Sequence, residues 1–192
     1  DPLQISFFRY GCGMILLIPL FIRLGAENMK TERMPLHLLR MFLAFAAQLG
    51  IFITVIYMPL AEATAFMFSK PLFTTVVAVF LLHEVVSGRR WAATVVGFIG
   101  VLVLVRPGAA AFDPLALVAI GSALTFAIAN VLIRKLSTTE PTGRILFYYH
   151  IGGVLLFAGP AWWVWTAPDT IEWLKLIGIG GLTTLGIFGF MR

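Results

Sequence analysis

Lys70 puts an ammonium inside an apolar run, Ala61 to Leu82, with Ser69 before it and Pro71 after it. At the centre of a bilayer a lysine costs at least ~2.5 kcal/mol unless it is hydrated or paired. Pro71 has no N–H to offer the carbonyl of Met67, which leaves an acceptor beside the charge. An ammonium, a hydroxyl and a free carbonyl within a few residues are what a discontinuous helix lining a cavity needs. Lys70, Ser69 and Pro71 are therefore expected to touch a small anionic solute. The competing reading is that Lys70 snorkels or faces a structural partner.

Arg9 and Glu62 fall toward the extracytoplasmic ends of their segments, where they can pair and shape an outer mouth. Alternatively, Glu62 takes up a proton for coupling. These two are the candidate gating or coupling residues. Asn130, Tyr149 and His150 are further candidate substrate contacts, and Gln48 and Tyr148 are polar groups of the same kind. Buried polar groups need partners, so interhelical hydrogen bonding competes with ligand binding at each of them. His150 can titrate near neutral pH. Trp162, Trp163 and Trp165 cluster at one end of a segment and read as an aromatic belt. Ala119, Ala123 and Ala127, with Gly97 and Gly100, read as small-residue faces for close helix packing.

Enzymatic signatures are absent. His83-Glu84-Val85-Val86-Ser87 lacks the second histidine of the H-E-x-x-H zinc motif, and neither a G-x-S-x-G elbow nor a G-x-x-x-x-G-K-[ST] loop occurs. No catalytic residue, metal site or cofactor is predicted. Any transport is then driven by a gradient or runs downhill. The single cysteine, Cys12, excludes an intramolecular disulfide and reads as a small packing residue.

The elements that must position these residues are apolar all round. Sixty percent of the chain is hydrophobic and 12% charged, at a mean hydropathy of +0.96, where a soluble domain carries about twice that charged share. Seven segments approach spanning length: Leu3 to Ile22, Leu36 to Met58, Ala61 to Leu82, Trp91 to Val105, Leu115 to Ile133, Ile145 to Thr166 and Glu172 to Met191. In lipid each must be helical, because no water is there to satisfy the backbone. The fold class is an all-α polytopic transmembrane bundle. The charge of +5 belongs to the loops, so no nucleic-acid partner is implied. Arg23, Lys30, Arg33, Arg40, Arg89, Arg90, Arg134, Lys135 and Arg144 fall on one side, against Arg106 and Lys175 on the other. The richer side is cytoplasmic by the positive-inside rule.

An internal repeat relates the first and sixth segments. At an offset of 139, Asp1-Pro2 falls on Glu140-Pro141, Phe8 on Phe147, Tyr10 on Tyr149, Gly13 on Gly152 and Leu16-Leu17 on Leu155-Leu156. At an offset of 136, Leu49-Gly50-Ile51-Phe52 recurs as Leu185-Gly186-Ile187-Phe188. The loop charges orient these equivalents oppositely, which demands an odd number of spans per repeat, and five fits. Residues 1–108 are then a first repeat without its opening helix, and 113–192 a second without its last two. Asp1 in place of a methionine, and Arg192 directly after an apolar run, read as cut ends.

The run Pro59-Leu60-Ala61-Glu62-Ala63-Thr64-Ala65, then Phe68 and Pro71-Leu72-Phe73, resembles the fourth helix of the EamA family of the drug/metabolite transporter superfamily. Glu84 with Arg89-Arg90-Trp91 is similar to that family's junction between helices four and five. Gly97-Phe98-Ile99-Gly100-Val101, ending in Arg106-Pro107-Gly108, is similar to its fifth helix, and Phe112-Asp113-Pro114-Leu115 to the start of its second repeat. The resemblance covers essentially the whole chain and is specific for the family, not for a substrate. It implies ten helices in two inverted five-helix repeats with both termini cytoplasmic, this chain holding the second to the eighth.

These readings lead to a multi-pass protein of the inner (plasma) membrane that transports a small organic metabolite by alternating access. Its partners are the bilayer and a small-molecule substrate, with a homodimer and proton coupling as options. The alternatives are a non-transporting membrane scaffold or receptor and, less favoured, an intramembrane enzyme.

Overall fold

A computed structural model describes residues 1–105 and 113–190 of the chain. Among these residues the structure is helical without strands. The order is α1 (Pro2–Leu16), α2 (Ile18–Leu24), α3 (Ala26–Met29), α4 (Met34–Tyr57), α5 (Leu60–Met67), α6 (Lys70–Leu82), α7 (Gly88–Val105), α8 (Leu115–Ser137), α9 (Thr142–Trp163) and α10 (Thr170–Phe190). Each of the seven expected segments is mostly helical where described, with interruptions at Leu17 and at Phe68–Ser69 and a sixth helix that ends at Trp163 instead of Thr166. Four spans, α4, α5 with α6, α8 and α9, are long and apolar enough to cross a membrane, and the pair α1 and α2 makes a fifth. Arg106-Pro107-Gly108 and Phe112 of the family-like motifs lie outside the described residues.

The first expected span is not straight. α1 and α2 meet at 50° across Leu17. The cause is Pro19, in the first turn of α2, which cannot donate to the carbonyl of Ile15. α1 begins on a side-chain cap, the Leu3 amide donating to Asp1 Oδ1 at 2.9 Å.

The chain divides into two compact units, Asp1–Met41 with Leu136–Arg192, and Phe42–Lys135. In the first, α1 packs against both α9 and α10. Its buried face carries Ser6, Tyr10, Gly13 and Leu17, three or four residues apart as one helix stripe requires. The approach to α9 is close because glycine is there. A Cβ on Gly153 would run into the Tyr10 ring, and one on Gly13 into His150 and Thr184. Tyr10 also stacks on Phe157 at 5.7 Å, and Cys12 packs against Gly180, as a small residue should.

At the charge-rich end of this unit, Glu140 ties three segments together. Its carboxylate accepts from Thr31 Oγ1 and lies 2.5 Å from His37 Nε2, with Arg144 at 3.8 Å. A carboxylate only accepts, so Nε2 carries the hydrogen, and His37 Nδ1 is buried without a partner. Burial pushes the Glu140 pKa up. The Thr31 and His37 hydrogen bonds, with the charges of His37 and Arg144, outweigh it and hold the carboxyl below its ordinary value.

In the second unit Met58, Ala63, Phe66, Ala116 and Ala119 form a buried cluster with Val101, Leu115 and Ile120 packed on it. Ala119, Ala123 and Ala127 are all buried, as the small-residue ridge predicts. Leu72 of α6 fills the space a Gly97 side chain would occupy, but a Cβ on Gly100 would meet nothing among the described residues. The two lie three residues apart, and only Gly97 falls on the side turned to α6.

Two outcomes test this packing. Gly153→Ala forces the Tyr10 ring to move and should cost about 1–3 kcal/mol, read as a lower thermal midpoint of the intact protein in detergent. Tyr10→Leu in that background should recover part of the loss, and an unchanged midpoint for Gly153→Ala would contradict the packing. Because the folded Glu140 carboxyl is held low, its stabilisation is full above the unfolded pKa and drains as pH falls below about 4.5. Glu140→Gln should lower the midpoint at neutral pH and flatten its decline between about pH 5 and pH 3. A variant that keeps the wild-type acid slope would remove Glu140 as its source.

Candidate functional site

Apart from the Glu140 cluster, one gathering of polar groups in each unit holds the predicted site residues. In the first, α1 supplies Arg9 and Tyr10, the second turn of α4 Arg40, α9 Tyr149 and His150, and α10 Thr184. The Tyr10 and Tyr149 rings meet edge to face at 5.1 Å. The Arg9 guanidinium lies 4.5 Å over Tyr10, and that of Arg40 4.9 Å over Tyr149. Each tyrosine of the pair thus has a guanidinium over its ring.

Arg40 is 1% exposed. One of its nitrogens donates to the Ile145 carbonyl at a long 3.4 Å, and Nη2 is buried without a partner. Arg9 Nη2 is likewise buried and unpartnered. Among the described residues no carboxylate pairs with either arginine. His150 Nδ1 sits 2.9 Å from the Leu146 carbonyl and must carry the hydrogen there. Its Nε2 then presents a lone pair, 3.4 Å from a Thr184 hydroxyl whose own hydrogen goes to Gly180 at 2.8 Å. Arg9, Tyr10, Tyr149, His150, Thr183 and Thr184 line a crevice too tight in this conformation to hold a water molecule.

In the second unit the helix breaks where Pro71 predicts, between α5 and α6 at Phe68 and Ser69. Lys70 and Pro71 open α6. Ser69 is fully buried, and its hydroxyl donates back to the Phe66 carbonyl at 2.6 Å. Half-buried Lys70 holds its Nζ 4.5 Å over the Phe126 ring of α8. Beside it a narrow crevice is lined by Thr54, Ala63, Met67, Ala119 and Ala123. Asn130 sits one turn beyond Phe126 on α8. Glu62 is exposed in the first turn of α5.

The predicted residues therefore divide into two groups. Lys70, Ser69, Pro71 and Asn130 belong to one unit, and Arg9, Tyr149 and His150 to the other. Arg9 and Glu62 fall in different units, and their pairing stays an expectation. Sequence reasoning missed Arg40 and Tyr10. Arg40 was counted among the loop charges, but it lies within α4 and is buried. The signal available was its place inside the apolar run that starts at Leu36. For Tyr10 it was the repeat, which sets it on Tyr149.

The EamA-like transporter family matches residues 1–106. The chain is 32% identical over 189 residues to an S-adenosylmethionine uptake transporter of Rickettsia conorii, covering 98% of this chain and 64% of the relative. It is 30% identical over 186 residues to a riboflavin transporter of Vibrio cholerae, covering 94% and 62%, and 29% identical over 185 residues to the pseudopaline exporter CntI of Pseudomonas aeruginosa, covering 95% and 65%. The chain thus spans less than two thirds of the length of these relatives. No solved structure matches it. All three relatives are transporters by name, and with its apolar helices the chain is a multi-pass protein of the inner membrane.

Proposed function

Because this chain belongs to the EamA-like transporter family, we propose that the protein is a secondary transporter that moves a small organic metabolite across the inner membrane by alternating access. The observation that carries this reading is Lys70. A cation stands at a helix break inside an apolar span, its ammonium over an aromatic ring and beside a crevice. A lysine held there costs stability, and a solute path supplies the compensating function. Relatives named for S-adenosylmethionine, riboflavin and pseudopaline support a substrate rich in heteroatoms.

The two halves, 1–108 and 113–192, act as inverted repeats in this reading. Tyr10 and Tyr149, equivalent at the offset of 139, lie in contact. Equivalent residues touch only near the axis that relates them, so the contact supports a two-fold between α1 and α9. Rocking about such an axis exposes a site to one side and then the other. No nucleotide-binding loop occurs in the chain, and the energy comes from a gradient. Glu62 is the group that takes up a proton.

Reconstituting the intact protein in proteoliposomes and assaying a metabolite mixture for flux tests the proposal. Lys70→Ala should cut flux about tenfold or more, the weight of one charged hydrogen bond, with normal abundance. Glu62→Gln should abolish acceleration by a pH gradient and leave downhill exchange intact. Unchanged rates in Lys70→Ala would remove that residue from the path, and absence of any flux would favour a scaffold or receptor.

A further inference from the structure

We propose that Arg9 and Arg40, whose unmet donors gather at the Tyr10–Tyr149 pair, form a binding site for an oxyanion group of the solute, and that this group is a carboxylate. The proposal deepens the transport reading and rests on it only in treating the ligand as cargo.

Arginine stays protonated in proteins, so two positive charges sit at one pair of rings. The ring faces attract them, but cation–π attraction leaves the N–H groups without acceptors. Arg40 has one long bond to a carbonyl and a buried nitrogen with no partner, and Arg9 has another. A guanidinium presents its donors as a planar fork that fits a carboxylate or phosphate through two parallel bonds. The unmet donors are on both arginines, and neither meets a carboxylate among the described residues.

The surroundings fit the body of such a solute. Tyr10 and Tyr149 line the crevice, Thr183 and Thr184 bring hydroxyl oxygens to it, and His150 Nε2 is an acceptor for an amine or hydroxyl of the solute. The lining can therefore read an anionic end and a donor group on one molecule. The crevice is closed to water in this conformation, so the ligand enters only when the helices separate. An anion arriving there neutralises charges that otherwise repel each other, which favours the bound, closed form.

The test uses the intact protein purified in detergent at matched ionic strength. Its thermal midpoint is followed against benzoate, succinate, inorganic phosphate and benzamide, the last being the uncharged counterpart of benzoate. Benzoate or succinate should raise the midpoint in a saturable way, and benzamide should not. Arg40→Met should weaken the apparent affinity about tenfold or more, and Arg40→Lys, with charge but no fork, should fall between. Without ligand, Arg40→Met should melt at or above the wild-type midpoint, because it removes an unpaired buried cation. A stronger response to phosphate than to either carboxylate would keep the oxyanion site and overturn the carboxylate assignment. Equal responses to benzoate and benzamide, no response to any oxyanion, or unchanged affinity in Arg40→Met would overturn the site. So would a large fall in the unliganded midpoint of Arg40→Met, which would reveal a carboxylate of the protein as the partner. Selective binding without flux in proteoliposomes would sink the transport reading and leave the site standing, and flux without oxyanion binding would do the reverse.

Discussion

A polar group in hydrocarbon must find its partner inside the protein, since no water is there to serve as one. Among the described residues the requirement decides where many of the hydroxyls go. Thr54, Thr64, Thr74, Thr75, Thr94, Ser122, Thr183 and Thr184 each donate to the carbonyl four residues earlier, so their hydrogens are spent within their own helices. Ser69 does the same over three residues at the α5–α6 break. What stands out is the set that local bonding does not absorb, which includes the two arginines on the tyrosine pair, Lys70 over Phe126, Nε2 of His150 and the His37–Glu140 pair. Arginine and lysine are too long and too charged to be satisfied by a single carbonyl of their own helix.

The same constraint explains why small residues matter so much to the packing. Close helix approach is the main source of association energy where apolar burial drives nothing. Tyr10 reaches Tyr149 and Phe157 because Gly153 gives it room. The packing that seats α1 on α9 therefore also builds the aromatic floor on which both guanidinium groups rest. Structure and site share side chains here, and a change at either alters both.

The sequence spoke most clearly where a single residue type has only one physical consequence. Unbroken apolar runs could only be helices, Pro71 could only interrupt one, and the alanine spacing on α8 could only make a flat face. Its silence came from contacts between residues far apart in the chain. Glu140 meets Thr31 and His37 across 109 and 103 residues, a distance no local pattern spans. Arg40 looked like one more loop charge because the arginines near it are loop charges. Its burial follows from the place of its turn of α4 beside Tyr149 and Ile145. Gly97 and Gly100 read alike as letters, and only the direction of each face separates them. The bend at Leu17 was written in Pro19, but so apolar a run disguised it as a straight span.

The seating of α1 on α9 and α10 also sets a schedule. A ribosome adding about 5–20 residues per second needs on the order of ten seconds to travel from Tyr10 to Tyr149. Through that interval the face of α1 that carries Tyr10 and Gly13 lacks its partners on α9 and α10. The nascent chain must shelter a charged, glycine-notched helix until the sixth hydrophobic segment emerges, so biogenesis, as much as the finished fold, limits which residues this face can carry.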